Sequence, residues 1–195
     1  METPVDLIVG LGNPGSKYER TRHNAGADLV LALAQSLNAE LKPESKFFCD
    51  TARVNIGGRD VRLLIPSTFM NRSGQSISAM AKFYQIAPES ILVVHDELDL
   101  DPGVARFKKG GGHGGHNGLR DTVSSLANNK DFARLRIGIG HPGQAKMVAD
   151  YVLKKASPND QQLIANSIDN ALRHLPLAVD GQWEKAMTAL HSINS

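Results

Sequence analysis

Short apolar runs alternate with amphipathic stretches along the chain, and this alternation sets the expected architecture. Residues 5–11 (VDLIVGL) are apolar and β-branched, the pattern of a buried strand. Residues 26–37 place Leu29, Val30, Leu33 and Leu37 on one helical face, with Asn24 available as the cap. Residues 47–56 and 59–65 flank Gly57-Gly58 and read as an antiparallel hairpin that Pro66 ends. Ile77, Met80, Ala81 and Tyr84 recur at helical spacing, and Asn71 ahead of them reads as a cap. Residues 91–94 (ILVV), 104–108 (VARFK) and 134–140 (RLRIGIG) read as strands, and residues 118–127 as a helix carrying Leu119, Thr122, Val123 and Leu126. Residues 144–156 are mixed and read as a flap. Ser157-Pro158-Asn159-Asp160 combines a cap, a proline in the first turn and an acid at the third position, a strong helix start. That helix carries Leu163, Ile164, Ile168, Ala171, Leu172 and Leu175, with a kink expected at Pro176 and a break at Gly181. A last stripe holds Trp183, Ala186, Met187 and Leu190. The fold expected is α/β: residues 1–195 as one domain, a central twisted mixed β-sheet flanked by helices, with a flap at 144–156 and C-terminal helices over 158–192.

Composition narrows the class rather than the chemistry. The 195 residues suffice for one sizeable core, with 41% hydrophobic and 22% charged residues. A net charge of +2 does not demand a nucleic-acid partner, although a local basic face can still bind one. Cys49 is the only cysteine, so no intrachain disulfide forms. The first residues lack the basic-then-apolar pattern of a signal peptide, and no apolar run reaches the length of a membrane span. Cytoplasmic location, no membrane partner and a monomer are the expectations.

The candidate chemistry gathers at element ends. Residues 110–118 read GGGHGGHNG, six glycines in nine, a backbone suited to close approach or positive φ and costly in a packed core. Gly10-Leu11-Gly12-Asn13-Pro14-Gly15 fits the G-x-G-x-x-G spacing of dinucleotide sites, but no helix opens at those glycines, which argues against that use. His23 stands just before a helix N-terminus, whose positive end lowers a histidine pKa. Position alone leaves a general base and a solvated loop histidine both open. His95-Asp96 ends a strand, where Asp96 either orients a histidine or caps a turn. Asp96, Glu97, Asp99 and Asp101 fit no EF-hand spacing, and His113-x-x-His116 lies in a glycine loop, so no metal and no cofactor is expected. No G-x-S-x-G elbow is present. A histidine, a carboxylate and asparagines at one sheet edge suit a hydrolase that activates water.

LIVGLGNPGSKYERTRHNAG, PSTFMNRSGQS, VVHDELDL, FKKGGGHGGHNGLRD and RLRIGIGHPG, in this order, resemble the bacterial peptidyl-tRNA hydrolase family over almost the whole chain. The resemblance implies hydrolysis of the ester between a peptide and the terminal ribose of tRNA, recycling tRNA that has left the ribosome. It places the catalytic base on His23, its partner on Asp96, and selection for blocked substrates on Asn13. Asn71 and Asn117 would hold substrate or the attacked carbonyl, Tyr18 and Phe69 would contact substrate, and Met70 and His116 would line the crevice. Lys108 and Arg136, with Arg106, Lys109, Arg120, Arg134, Lys146, Lys154 and Lys155, form the expected basic rim for the acceptor stem and 3′ end. Direct attack by water, without an acyl-enzyme, is the expected chemistry. Ala145 stands where some relatives carry a basic residue, and YVLKK where a glycine often follows the leucine; both bear on docking by the flap. A non-catalytic RNA-binding relative of the same fold, acting in splicing, is the alternative.

Overall fold

A computed structural model describes residues 3–194; Met1, Glu2 and Ser195, the ends of the expected domain, lie outside the described residues. Seven strands form one mixed sheet: β1 (Leu7–Gly10), β2 (Lys42–Glu44), β3 (Cys49–Ile56), β4 (Arg59–Pro66), β5 (Ile91–Glu97), β6 (Ala105–Lys109) and β7 (Ala133–Gly138), in the order β2-β3-β4-β1-β5-β7-β6. β1 pairs in parallel with β4 and β5, and β5 with β7; the β2/β3, β3/β4 and β6/β7 pairs are antiparallel.

The alternation of side chains along each strand divides the core in two. Ile8, Leu63, Leu92 and Leu135 face α1 (Ala25–Ser36), α5 (Pro158–Val179) and α6 (Trp183–His191). Leu7, Val9, Leu64 and Val93 face the other way, onto α2 (Ser73–Phe83) and α3 (Asn117–Ser125). β4 and β5 flank β1 on opposite sides, so the order in which the chain adds strands to the sheet reverses there. The crevice of an open α/β sheet lies outside the carboxyl ends of the strands at such a point.

Most expected elements are present, with local corrections. β2 was not anticipated: it is three residues, polar, and held to β3 by the backbone ladder, with Pro43 tolerated on the sheet edge. The hairpin begins at Cys49 and not at residue 47, because residues 45–47 form a 3-10 turn that ends with Phe48 in the left-handed region. His95 and Asp96 lie inside β5, not past its end, because the β7 ladder continues as far as Glu97. α5 runs unbroken through Pro176 to Val179, and Gly181 at φ 83° follows it. Ser157 caps α5 as expected, accepting from Asp160 N at 3.2 Å. Neither Asn24 nor Asn71 caps a helix by its side chain. The flap is ordered locally, as a 3-10 turn followed by the single-turn α4 (Val148–Val152).

One glycine fixes the distance between α1 and the sheet. A Cβ on Gly26 would lie 2.1 Å from Val94 O and 2.9 Å from Leu11 N, both backbone atoms that cannot turn aside. Gly26→Ala is therefore expected to destabilise the fold by about 1–3 kcal/mol or more. Urea unfolding checks this; an unchanged midpoint would contradict the packing described.

Candidate active site

Four consecutive residues after the β1 loop each make a different contact. Thr21 forms a bridge with Lys155, and Arg22 N donates to Lys154 O at 3.0 Å, so both reach the flap. His23 turns to Asp96. Asn24 turns the other way: its Oδ1 accepts from Asn13 N at 2.8 Å, and its Nδ2 donates to Asn13 O at 3.0 Å. This latch replaces the expected cap. It holds the Gly12–Asn13 loop so that Asn13 Oδ1 accepts from Met70 N at 2.7 Å.

Asp96 is the centre of the arrangement. It is 4% exposed, and each of its oxygens is engaged. Oδ2 accepts from His23 Nδ1 at 2.9 Å and Oδ1 from His116 Nε2 at 2.7 Å. Burial alone would raise the Asp96 pKa, but the charges and hydrogen bonds of His116 and His23 outweigh it and hold the carboxyl well below the usual carboxylate range. An ionised carboxylate only accepts, so His23 carries its proton on Nδ1 and keeps the lone pair on Nε2. His116 is fixed twice. Its Nδ1 accepts from Gly118 N at 3.1 Å and Leu119 N at 3.3 Å, capping α3, which leaves Nε2 to donate to Asp96.

The expectation for the His23 pKa is corrected. A helix end was expected to lower it. Burial does act in that direction, but the Asp96 charge and hydrogen bond outweigh it, and the pKa lies above 6.5. The imidazole meets its carboxylate directly.

His95 was missed as part of this group. It is 3% exposed, donates from Nδ1 to Asp96 O at 2.8 Å, and stacks edge-on against His116 at 5.2 Å. Burial and the neighbouring His116 push its pKa down to about 4, so it stays neutral beneath the pair. Its place beside Asp96 in the sequence gave no sign of this, since neighbours on a strand normally face opposite ways.

His23, Asp96, His116, Asn117, Lys108 and Arg136 line one cavity of about 740 Å³, with Val148 and Val152 of α4 on its wall. Arg136 is held by Glu97, Nε to Oε1 at 3.0 Å. Asn117 opens α3, and its Oδ1 accepts from Arg120 Nη1 at 3.3 Å. The remaining expected residues lie beside this cavity. Asn13 lines an adjoining cavity of about 670 Å³, where burial pushes the Asp28 carboxyl up to about 6. Tyr18 and Phe69 meet edge-to-face at 6.2 Å, and Phe69 is 58% exposed. Asn71 is exposed in the same 3-10 turn that holds the buried Met70. A Cβ on Gly118 would lie 2.6 Å from Met70 Sδ, so the α3 N-terminus packs directly on that turn. The two groups of residues therefore meet through Met70.

Arg134 departs from the expected basic rim. It is 2% exposed, and its guanidinium donates to the carbonyls of Gly111, Gly112 and Lys130 while lying over the Phe132 ring. Burial, with Arg136 nearby, lowers its pKa to about 10. It is a strut for the glycine loop, whose Gly110, Gly111, Gly114 and Gly115 all take positive φ. The alternation of RLRIGIG puts Arg134 and Arg136 on one face, but says nothing of which one the loop covers.

The ligand-type atoms of His23, Asp96 and His116 lie within 4.8 Å of one another, but the closest of them are spent in the two hydrogen bonds of the triad. Cys49 is buried, and burial pushes its thiol up to about 11, which keeps it from acting as a thiolate. An NMR titration should place the His23 pKa above 6.5, and Asp96→Asn should drop it below, because burial remains when the charge is gone. An unchanged His23 titration in that variant would contradict the pairing.

A sequence model of the family described as Peptidyl-tRNA hydrolase matches residues 7–195. A protein of Saccharophagus degradans named peptidyl-tRNA hydrolase is 60% identical, covering 98% of this chain and 99% of its own. One of Vibrio parahaemolyticus with the same name is 58% identical over the full length of both. The crystal structure of peptidyl-tRNA hydrolase from Acinetobacter baumannii superposes with a TM-score of 0.92 at 56% identity, over 95% of this chain and 94% of that one. The glycine loop, the buried histidine–aspartate pair and the sheet around them thus occur in a chain that belongs to the peptidyl-tRNA hydrolase family.

Proposed function

We propose that the crevice hydrolyses the ester between a peptide and the 3′ end of tRNA, with His23 as general base. The observation that carries this reading is the buried His23 Nδ1–Asp96 Oδ2 contact at 2.9 Å, which leaves Nε2 as the lone pair of a base. Nε2 takes a proton from water as the water attacks the ester carbonyl; the tetrahedral intermediate then collapses, the bond from the carbonyl carbon to the ribose oxygen breaks, and the proton held on Nε2 goes to the departing ribose oxygen. Asp96 holds the tautomer and stabilises the imidazolium that forms. His116 holds Asp96 from its other oxygen. Such a base contributes about 10²–10⁴-fold. An ester of a ribose hydroxyl has a good enough leaving group that no covalent nucleophile is needed.

Asparagine donates and accepts without charge, which suits an amide backbone and a developing oxyanion. Asn13 Oδ1 is taken by Met70 N, so its Nδ2 is the atom left for substrate, where a blocked peptide offers an amide carbonyl and a free aminoacyl group does not. Asn71 and Asn117 serve the substrate from the two sides of Met70. Tyr18 and Phe69 form an apolar platform for the peptide. Lys108 and Arg136 face the same cavity as His23 and suit phosphates near the acceptor end. We read the enzyme as a cytoplasmic monomer that rescues peptidyl-tRNA released early from translation; among the described residues no helix is long and apolar enough to cross a membrane. The non-catalytic alternative is not favoured, because the catalytic pair is intact and the relatives are named as hydrolases.

N-acetyl-aminoacyl-tRNA should be cleaved and unblocked aminoacyl-tRNA largely spared. His23→Ala should lose about 10²–10⁴-fold in kcat; equal turnover by that variant would sink the mechanism. In wild-type protein kcat/KM should rise with pH along a limb whose midpoint lies above 6.5, since only unprotonated His23 is a base. Affinity for tRNA should fall as salt rises, with a shallower slope in Lys108→Ala. A flat salt response would remove the phosphate role.

A further inference from the structure

Arg22 has no place in the chemistry above, yet it is bound more closely to the flap than any other residue of its turn. Its guanidinium lies 3.7 Å from the centre of the Tyr151 ring, and Nη1 donates to Tyr151 O at 2.9 Å. Its backbone N donates to Lys154 O at 3.0 Å, and the Thr21–Lys155 bridge follows at once. Tyr151 is itself tied down, its hydroxyl donating to Ile139 O at 2.7 Å just past β7. No carboxylate pairs with Arg22 among the described residues. Its buried Nε has no partner, a loss that a residue kept only for stability would not be expected to carry. The flat, forked guanidinium is what stacks and donates at once, and a lysine cannot do both.

The position of this contact gives it a consequence. Arg22 and His23 are neighbours in one 3-10 turn. Tyr151 belongs to α4, whose Val148 and Val152 wall the cavity that His23 lines. The flap also carries Lys146, Lys154 and Lys155, all exposed. Force applied to the flap by a polyanion therefore reaches the backbone next to His23 through the Arg22–Tyr151 stack.

We propose that Arg22 is a positioning residue that joins the flap to the catalytic base, so that seating the tRNA body on the flap sets His23 for attack. The effect belongs in kcat and not in binding, because the stack is made of the Arg22 guanidinium and the Tyr151 ring and leaves the ammonium groups of the flap lysines outside it, that of Lys154 being paired with Asp150 at 2.7 Å. This rests on the reading of His23 as the base.

The test compares two substrates: N-acetyl-aminoacyl-tRNA, and the N-acetyl-aminoacyl ester of the 3′-terminal nucleoside alone, which carries no phosphates for the flap lysines to hold. Arg22→Gln is expected to lower kcat on the tRNA substrate by about 10–100-fold, the scale of a small misplacement of a catalytic group. KM for tRNA should stay within about threefold, and turnover of the short ester should change far less than that of tRNA. Arg22→Lys keeps the charge without the fork and should rescue only in part. Tyr151→Leu removes the stacking face but keeps the Tyr151 carbonyl, and should give the same split, which covers the case in which the Arg22 variants fold poorly. Equal fractional losses on both substrates would make Arg22 merely structural, and a rise in KM at constant kcat would make it a binding residue; either overturns the proposal. His23→Ala runs beside them. Activity surviving there removes the base assignment itself, whereas an inactive His23→Ala with equal losses in Arg22→Gln removes only the coupling.

Discussion

A carboxylate taken out of water costs several kcal/mol unless its surroundings replace the lost hydration. Asp96 is such a group, and much of the carboxyl edge of the sheet is arranged around meeting its needs. One oxygen is met by His23 from the β1–α1 connection and the other by His116 from the glycine loop. These are charge-assisted bonds across segments remote in sequence, so the carboxylate fixes the relative position of two loops as well as two rings. His116 in turn caps α3, which carries the constraint into the packing of α3 on Met70 and through Met70 to Asn13.

The same pair sets stability and function against each other. Asp96 has a depressed pKa, so its share of stability is present above the unfolded value near 3.8 and is lost as pH falls below it. His23 has a raised pKa, so its share is full below 6.5 and is lost as pH rises through the folded value. A general base must be unprotonated. The enzyme therefore works in the range where the ion pair has given up part of its contribution to the fold. The close packing of α1 on β5 at Gly26 helps hold His23 in register there without relying on charge.

Charge elsewhere is divided by burial. Arg134 and Arg136 share one strand and one face, yet Arg134 is sealed under the glycine loop by backbone carbonyls while Arg136 keeps a carboxylate partner at the cavity wall. Arg22 is likewise spent on backbone and an aromatic face. Of the basic residues in this region, those left at the crevice are few and lie on the side of β6 and β7. Asn13, Tyr18 and Phe69 lie toward β1 and β4. Under the proposed function, that division suits an anionic half and a peptide half of one substrate.

The apolar periodicities of residues 5–11, 26–37, 91–94 and 134–140 were enough to determine the strands and helices, since burial on one face dictates them locally. The long glycine and histidine motifs likewise marked the family. What needed the folded chain was every relation between distant segments. β2 has no apolar signal because it is held only by backbone pairing. Asn24 looks like a cap until Asn13 comes within reach of it. The direction of the His23 pKa depends on a carboxylate 73 residues away, and the neutral state of His95 depends on its burial beside His116. Local pattern determines what each segment becomes; only the close approach of segments in a medium of low polarity decides which side chains are charged, which are struts and which are left for substrate.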